Sequence, residues 1–208
     1  MMPRLSSKAR WIATAGPIAL IAGIVGVGAQ QGIRRFDSGS FCILDLTLGK
    51  SEVADLTRTL GTPLGVQATE TAEGTIRCYA STRADKTVLE FEDWFGSLVE
   101  FRFYSSTAGT ARRWARTNLV SAVSTGNGLK LGMDRNEVLA LLGRPTRIHG
   151  QSYVYESAYN RPLTAEEERL AKSSYHTPPQ AMEVYEKIEL KFNGSRVTLV
   201  DVVRNETW

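Results

Sequence analysis

The chain has 208 residues, 42% of them hydrophobic and 23% charged, enough for one ordinary domain or two small ones. All 22 acidic side chains follow Arg35, whereas five of the 25 basic ones (Arg4, Lys8, Arg10, Arg34 and Arg35) lie at or before it. The net charge of +3 therefore arises at the N-terminus. The mildly acidic remainder lacks the clustered Lys and Arg that a phosphate backbone requires, which excludes a nucleic-acid partner.

Residues 1–36 read as a signal anchor or a signal peptide. Met1 to Arg10 carries three basic residues and no acidic one, and Trp11 to Ile33 follows without a charge. Val27-Gly28-Ala29 fits the small-residue rule for cleavage, but the uncharged run approaches the roughly twenty residues that span a bilayer, which favours the anchor. Positive residues ahead of the span keep that end in the cytoplasm. The expectation is a single-pass inner-membrane protein with its bulk in the periplasm; the alternative is a periplasmic or secreted protein released by cleavage. Cys42 lies well beyond the apolar core, so a lipid anchor is not expected.

A first unit spans residues 37–106. Val53, Leu56 and Leu60 share one helical face, with Ser51 as the expected cap and Gly61 and Pro63 as the stop. Three strands with period-two alternation follow, beginning near Thr75, Thr87 and Leu98. Asp93-Trp94-Phe95-Gly96 links two of them as a tight turn with Gly96 left-handed. One face reads Ile76, Cys78, Leu89, Phe91, Val99, Phe101 and Phe103, and is expected against the helix. The open face reads Arg77, Tyr79, Glu90, Glu92, Glu100, Arg102 and Tyr104, a mixture that suits either solvent or a protein partner. Cys42 and Cys78 are the only cysteines; in an exported chain a disulfide between them is expected.

Residues 107–128 are expected to link the units, with a helix from Thr110 to Val123. A second unit then spans 129–208. Asp134 and Glu137 form a capping box before Val138, Leu141 and Leu142, and Gly143 and Pro145 end that helix. The segment from Leu46 to Pro63 follows the same logic, so the chain reads as two tandem copies. A strand from Ser152 and a hairpin turning at Asn193-Gly194 complete the second copy. An insertion, 158–181, carries Thr164 and Glu167 as a second capping box. Val184, Ile188, Leu190, Phe192, Val197 and Leu199 are expected to face the helix, with Tyr185, Lys187, Lys191 and Val202 open; Tyr153 and Tyr155 join the open face if Val154 is core.

No motif for catalysis or metal binding stands out. His149 and His176 are the only histidines, without CxxC or HExxH spacing, so neither a metal site nor a cofactor is expected. Gly126-Asn127-Gly128 follows a predicted helix, the wrong context for a phosphate-binding loop. A hydrolase would have to use one of the two histidines as its base.

Leu129, Gly132, Met133, Asp134, Glu137, Val138, Leu141, Leu142, Gly143, Pro145 and Thr146 form a pattern that resembles the helix signature of the SmpA/OmlA (BamE-like) envelope proteins, which share the fold of the beta-lactamase inhibitor protein. The resemblance implies an α+β fold: two tandem small units, each a helical hairpin or helix packed on an antiparallel β-sheet. The leading expectation is a non-enzymatic envelope module, without a cofactor, that binds another envelope protein through Tyr79, Arg102, Tyr104, Tyr153, Tyr155 and Tyr185. The alternative is an inhibitor of a periplasmic or secreted hydrolase that plugs an active site with a hairpin tip such as Trp94-Phe95.

Overall fold

The computed structural model describes residues 36–63, 65–69, 74–81, 87–105 and 122–208, with the backbone alone of 115–117. The expected membrane segment lies outside the described residues except for Phe36. Among the described residues no helix is long and apolar enough to cross a membrane.

A 3-10 turn, Ser38–Phe41, leads into a short ladder of β1 (Cys42–Ile43) and β2 (Leu46–Thr47). Then come α1 (Val53–Leu60), β3 (Gly65–Ala68), β4 (Gly74–Ser81), β5 (Thr87–Trp94), β6 (Ser97–Ser105) and β7 (Ala115–Thr117). The rest comprises α2 (Arg135–Leu142), β8 (Arg147–His149), β9 (Ser152–Pro162), α3 (Ala165–Ser174), β10 (Ala181–Asn193) and β11 (Arg196–Thr207). The fold is thus α+β and mostly antiparallel, with three α-helices among the described residues.

Strands from both halves of the chain join one sheet in the order β3-β4-β5-β6-β11-β10-β9-β8. Its seam is the antiparallel pair β6 and β11, where Phe101 lies opposite Val202 and Phe103 opposite Val200. β7 pairs in parallel with Tyr79 to Ser81 of β4, so residues 115–117 form a strand where the linking helix was expected from Thr110 to Val123; 110–114 and 118–121 lie outside the described residues. The cause is an open edge: β3 reaches only Thr75 to Cys78, and the remaining backbone groups of β4 need partners.

α1 and α2 end and begin alike. At α2, Asp134 Oδ1 accepts from the amides of Asn136 and Glu137 while Glu137 accepts from Asp134 N, the expected capping box. At α1 the box is Glu52 with Asp55, one residue later than expected, because the Ser51 hydroxyl is occupied by Thr47 N at 2.9 Å. Gly61 and Gly143 close the helices at φ 81° and 72°, the region where glycine escapes the steric penalty of a Cβ. A tyrosine rises to each of these carbonyls: Tyr79 Oη donates to Gly61 O at 3.3 Å, and Tyr155 Oη to Gly143 O at 3.2 Å.

The core fills one side of the sheet. Leu56, Val138 and Leu142 bury from the helices, and Phe41, Ile43, Leu46 and Leu48 bury from the β1-β2 segment. Beneath them lie Tyr79, Leu89, Phe91, Phe101, Phe103, Tyr153, Tyr155, Ile188, Leu190, Val200 and Val202 in a single cluster. Leu141, expected on the stripe of α2, is 37% exposed. Two bulges set which side chains reach this core. Val99 and Thr198 are the extra residues where the ladders shift, so the phase of β6 and of β11 changes one or two residues after each strand begins. That shift corrects two expectations: Val202 is fully buried in the core, and Leu199 lies opposite Tyr104 on the other face.

Candidate functional site: the open face of the sheet

The face turned away from the helices carries two adjoining rows of charge. Glu90, Arg102, Asp201 and Glu189 lie directly opposite one another across β5, β6, β11 and β10. Glu92, Glu100, Val203, Lys187 and Glu156 form the next row, extending to β9. The arrangement follows from the period of a strand, since residues two apart share a face.

Arg102 is the hub. Its guanidinium meets Glu100 at 2.6 Å, Glu90 at 3.3 Å and Asp201 at 3.5 Å. Lys187 bridges Asp201 at 3.2 Å and Glu189 at 3.4 Å. Tyr104 Oη donates to Glu90 at 2.9 Å, and Tyr185 Oη donates to Glu156 at 3.1 Å, which also meets Arg147. Burial and the neighbouring carboxylates push both phenols upward, so both stay protonated donors. Near the edge, Arg147, Ile148, His149, Ser152, Val154 and Glu189 line an open groove of about 510 Å³.

Glu100 is held protonated well above the usual carboxylate range, at about 8, first by burial and then by the charge of Asp201. A carboxyl whose folded value is raised binds more protons folded than unfolded between about 4.5 and 8. Its contribution to stability is complete below that window and is lost as pH rises through it. Glu100→Gln is therefore expected to flatten the fall in stability between pH 6 and 9 in denaturant titrations; an unchanged slope would contradict the assignment.

The structure brings Arg102, Tyr104 and Tyr185 together on this face and removes the other three. Tyr79, Tyr153 and Tyr155 are corrected to core residues, 0%, 7% and 2% exposed. Their strands run one residue out of the expected phase, and a buried phenol costs little when its hydroxyl is bonded, as those of Tyr79 and Tyr155 are. Trp94 and Phe95 do sit at the β5-β6 turn, with Phe95 and Gly96 both at positive φ. That turn is folded back on α1: Val53 N donates to Gly96 O at 2.9 Å, and Glu52 bridges Ser97. The turn is thus braced against α1, with Trp94 and Phe95 half-buried. Sequence reasoning placed Glu90, Glu100 and Arg102 on one face but missed Asp201 and Glu189 as their neighbours; the β6-β11 seam that joins them links residues far apart in the chain.

The expected disulfide is also corrected. Cys42 and Cys78 are both free. Cys42 lies on the helix side, near Thr47 Oγ1 and Ser38 O, whereas Cys78 lies opposite Glu90 on the open face, so the sheet separates them. Burial, and next the charge of Glu90, push the Cys78 thiol up to about 12. A thiol reagent is expected to find two free thiols per unfolded chain without reductant, and to leave Cys78 unmodified in the folded chain. Thiols that appear only after reduction would contradict this.

His149 lies on β8 and His176 follows α3, both exposed. Among the described residues no three His, Cys, Asp or Glu side chains are placed to hold a metal ion.

No family model matches the chain and no curated protein matches it, so the resemblance of the Leu129 to Thr146 pattern to SmpA/OmlA proteins finds no support there. A solved structure from Streptococcus mutans, described as a candidate beta-lactamase inhibitor protein, is similar at 12% identity and a TM-score of 0.24, covering 76% of this chain and 82% of that one. A likeness of that size carries neither the fold nor the function.

Proposed function

We propose that the chain is a non-enzymatic protein-binding module of the cell envelope, tethered through residues 1–36, that holds another envelope protein on its open sheet face. The observation that carries this reading is the face itself: Arg102, Tyr104 and Tyr185, residue types enriched where proteins bind one another, stand on a rigid sheet opposite the helices, bonded to carboxylates.

We further propose that this face is built from two tandem α+β units, and the backbone supports it at several equivalent points. Gly49 N donates to Leu98 O and Gly132 N to Val197 O; Leu98 N donates to Ser51 O and Val197 N to Met133 O. Bridges Glu52 to Ser97 and Asp134 to Arg196 are equivalent, as are the two tyrosine bonds to the helix-ending glycines. In this reading an approximate twofold axis passes between Arg102 and Asp201, which lie opposite one another at the seam. A duplicated unit thereby yields a face twice as wide as one unit offers.

The test is recovery of a partner from native membranes by the full chain. Tyr185→Ala combined with Arg102→Ala, with circular dichroism unchanged, is expected to lower recovery at least tenfold, about 1.4 kcal/mol or more. Unchanged recovery by the folded double variant would sink the reading.

A further inference from the structure

The sheet ends at β8, which is shorter than the strand it covers. It lies along Ser152 to Val154 only, whereas β9 runs on to Pro162. Among the described residues no strand lies outside β9 from Tyr155 to Pro162. Glu156 N donates outward to Thr146 Oγ1 at 3.1 Å, and the pairing with β10 continues to Pro162 without a register shift. Main-chain groups of successive residues point to opposite sides of a strand. The N–H and C=O of Ala158 and Asn160 therefore also point outward, while those of Ser157, Tyr159 and Arg161 face β10.

An exposed edge is commonly blunted against other chains by a lysine, a bulge or a proline. Glu156 to Arg161 holds none of the three. Ala158 and Asn160 are exposed and uncharged, and the Arg161 guanidinium is turned back on Glu167 and Glu206.

The first half of the chain shows what such an edge takes. There β3 lies along Thr75 to Cys78 of β4, and β7 continues in parallel along Tyr79 to Ser81. In the tandem reading Tyr155 is the counterpart of Tyr79, since each bonds the glycine that ends its helix, and β8 is the counterpart of β3. The stretch of β9 that begins at Tyr155 is thus the counterpart of the one that β7 covers.

We infer that an extended segment of the partner adds to β9 as a parallel strand along Glu156 to Pro162, with an apolar side chain laid over Ala158 toward Tyr185. The inference rests on the protein-binding reading above and adds the form in which the partner is held. Main-chain bonds supply affinity in such a complex, and side chains on alternate faces supply selectivity. Ala158 stands directly opposite Tyr185 on the open face and has nothing beyond its Cβ to cover that ring. A second copy of this chain is the poorer occupant, because its β7 is already paired with its own β4.

The probe is an acetylated, amidated peptide with the sequence of residues 113–119, which contains β7. It is titrated into the nitrogen-labelled full chain in detergent micelles and followed by amide NMR. In the free chain the amides of Ala158 and Asn160 are expected to exchange freely with solvent, while those of Ser157 and Tyr159 are protected. Saturation with the peptide is expected to shift and protect Ala158 and Asn160, with contacts between the strands in parallel order. Ala158→Pro removes an outward donor without breaking the ladder to β10, and should weaken the peptide about tenfold. Of two peptides N-methylated on alternate amides, one in each phase, only one should bind, a test that leaves the protein itself unaltered.

Protected Ala158 and Asn160 amides in the free chain, no saturable shift along β9, or equal binding by both N-methylated peptides would overturn the inference. Recovery of the partner from native membranes by folded Ala158→Pro at the level of the parent chain would overturn it too and leave the protein-binding reading standing. Self-association of the chain alone that Ala158→Pro abolishes would put a second copy on this edge, against the inference. Peptide pairing here with no partner recovered by the parent chain would instead remove the protein-binding reading, and the partner strand with it.

Discussion

Phe101→Ala is expected to destabilise the chain by about 3–5 kcal/mol and to do so in one transition. Phe101 is fully buried, its ring 6.4 Å from that of Phe91 and 6.3 Å from that of Phe103, and it faces Val202 across the seam. Truncation removes the transfer free energy of the ring and leaves a cavity that a sheet bonded on both sides collapses into only partly. Because β6 and β11 carry core residues of both halves in one cluster, the halves should lose stability together. Urea unfolding followed by far-UV circular dichroism and by tryptophan fluorescence should give coincident curves at a lowered midpoint with unchanged slope. Two separated transitions would show that the seam does not couple the halves.

Arg204→Met is expected to cost about 3–5 kcal/mol, unusually much for the loss of one arginine. Arg204 lies opposite Glu186 and meets its Oε1 at 3.0 Å, while also meeting Glu206 at 2.9 Å; its guanidinium lies 5.6 Å from the Phe41 ring centroid. Glu186 is 2% exposed, and Tyr159 Oη donates to the same oxygen at 3.1 Å. Removing Arg204 leaves a carboxylate desolvated beside another acid, a far larger penalty than the loss of a surface pair. Adding Glu186→Gln removes the stranded charge, so the double variant should recover more than half of the loss in a double-mutant cycle. A single-variant cost below about 1 kcal/mol would mean that the pair behaves as a solvated one.

Much of the fold could be read because each signal was local. Asp134 with Glu137, Thr164 with Glu167, and Gly143 before Pro145 fix their helix ends by bonds within one turn, and Asn193-Gly194 fixes its hairpin likewise. Strand phase was less legible. In β4 the set Ile76, Cys78 and Ala80 looks more apolar than Thr75, Arg77 and Tyr79, yet the second set faces the helices. Arg77 is reconciled to that side by Asp93 at 2.9 Å, and Tyr79 by the Gly61 carbonyl; neither partner is adjacent in sequence. In β6 and β11 a single bulge residue, Val99 or Thr198, moves every later side chain to the other face. The β5-β6 half of the carboxylate cluster was legible from strand alternation, but its junction with Asp201 and Glu189 was not, since that depends on the pairing of two strands about a hundred residues apart.

The most direct test of a partner on the open face is site-specific photocrosslinking of the full chain in its native membrane from two positions of matched exposure. Tyr185, 36% exposed, stands on the open face, and Leu141, 37% exposed, stands on the helix side. A crosslinker at 185 should capture one defined protein, while the same group at 141 captures none. Equal capture from both positions, or capture from 141 alone, would contradict the account.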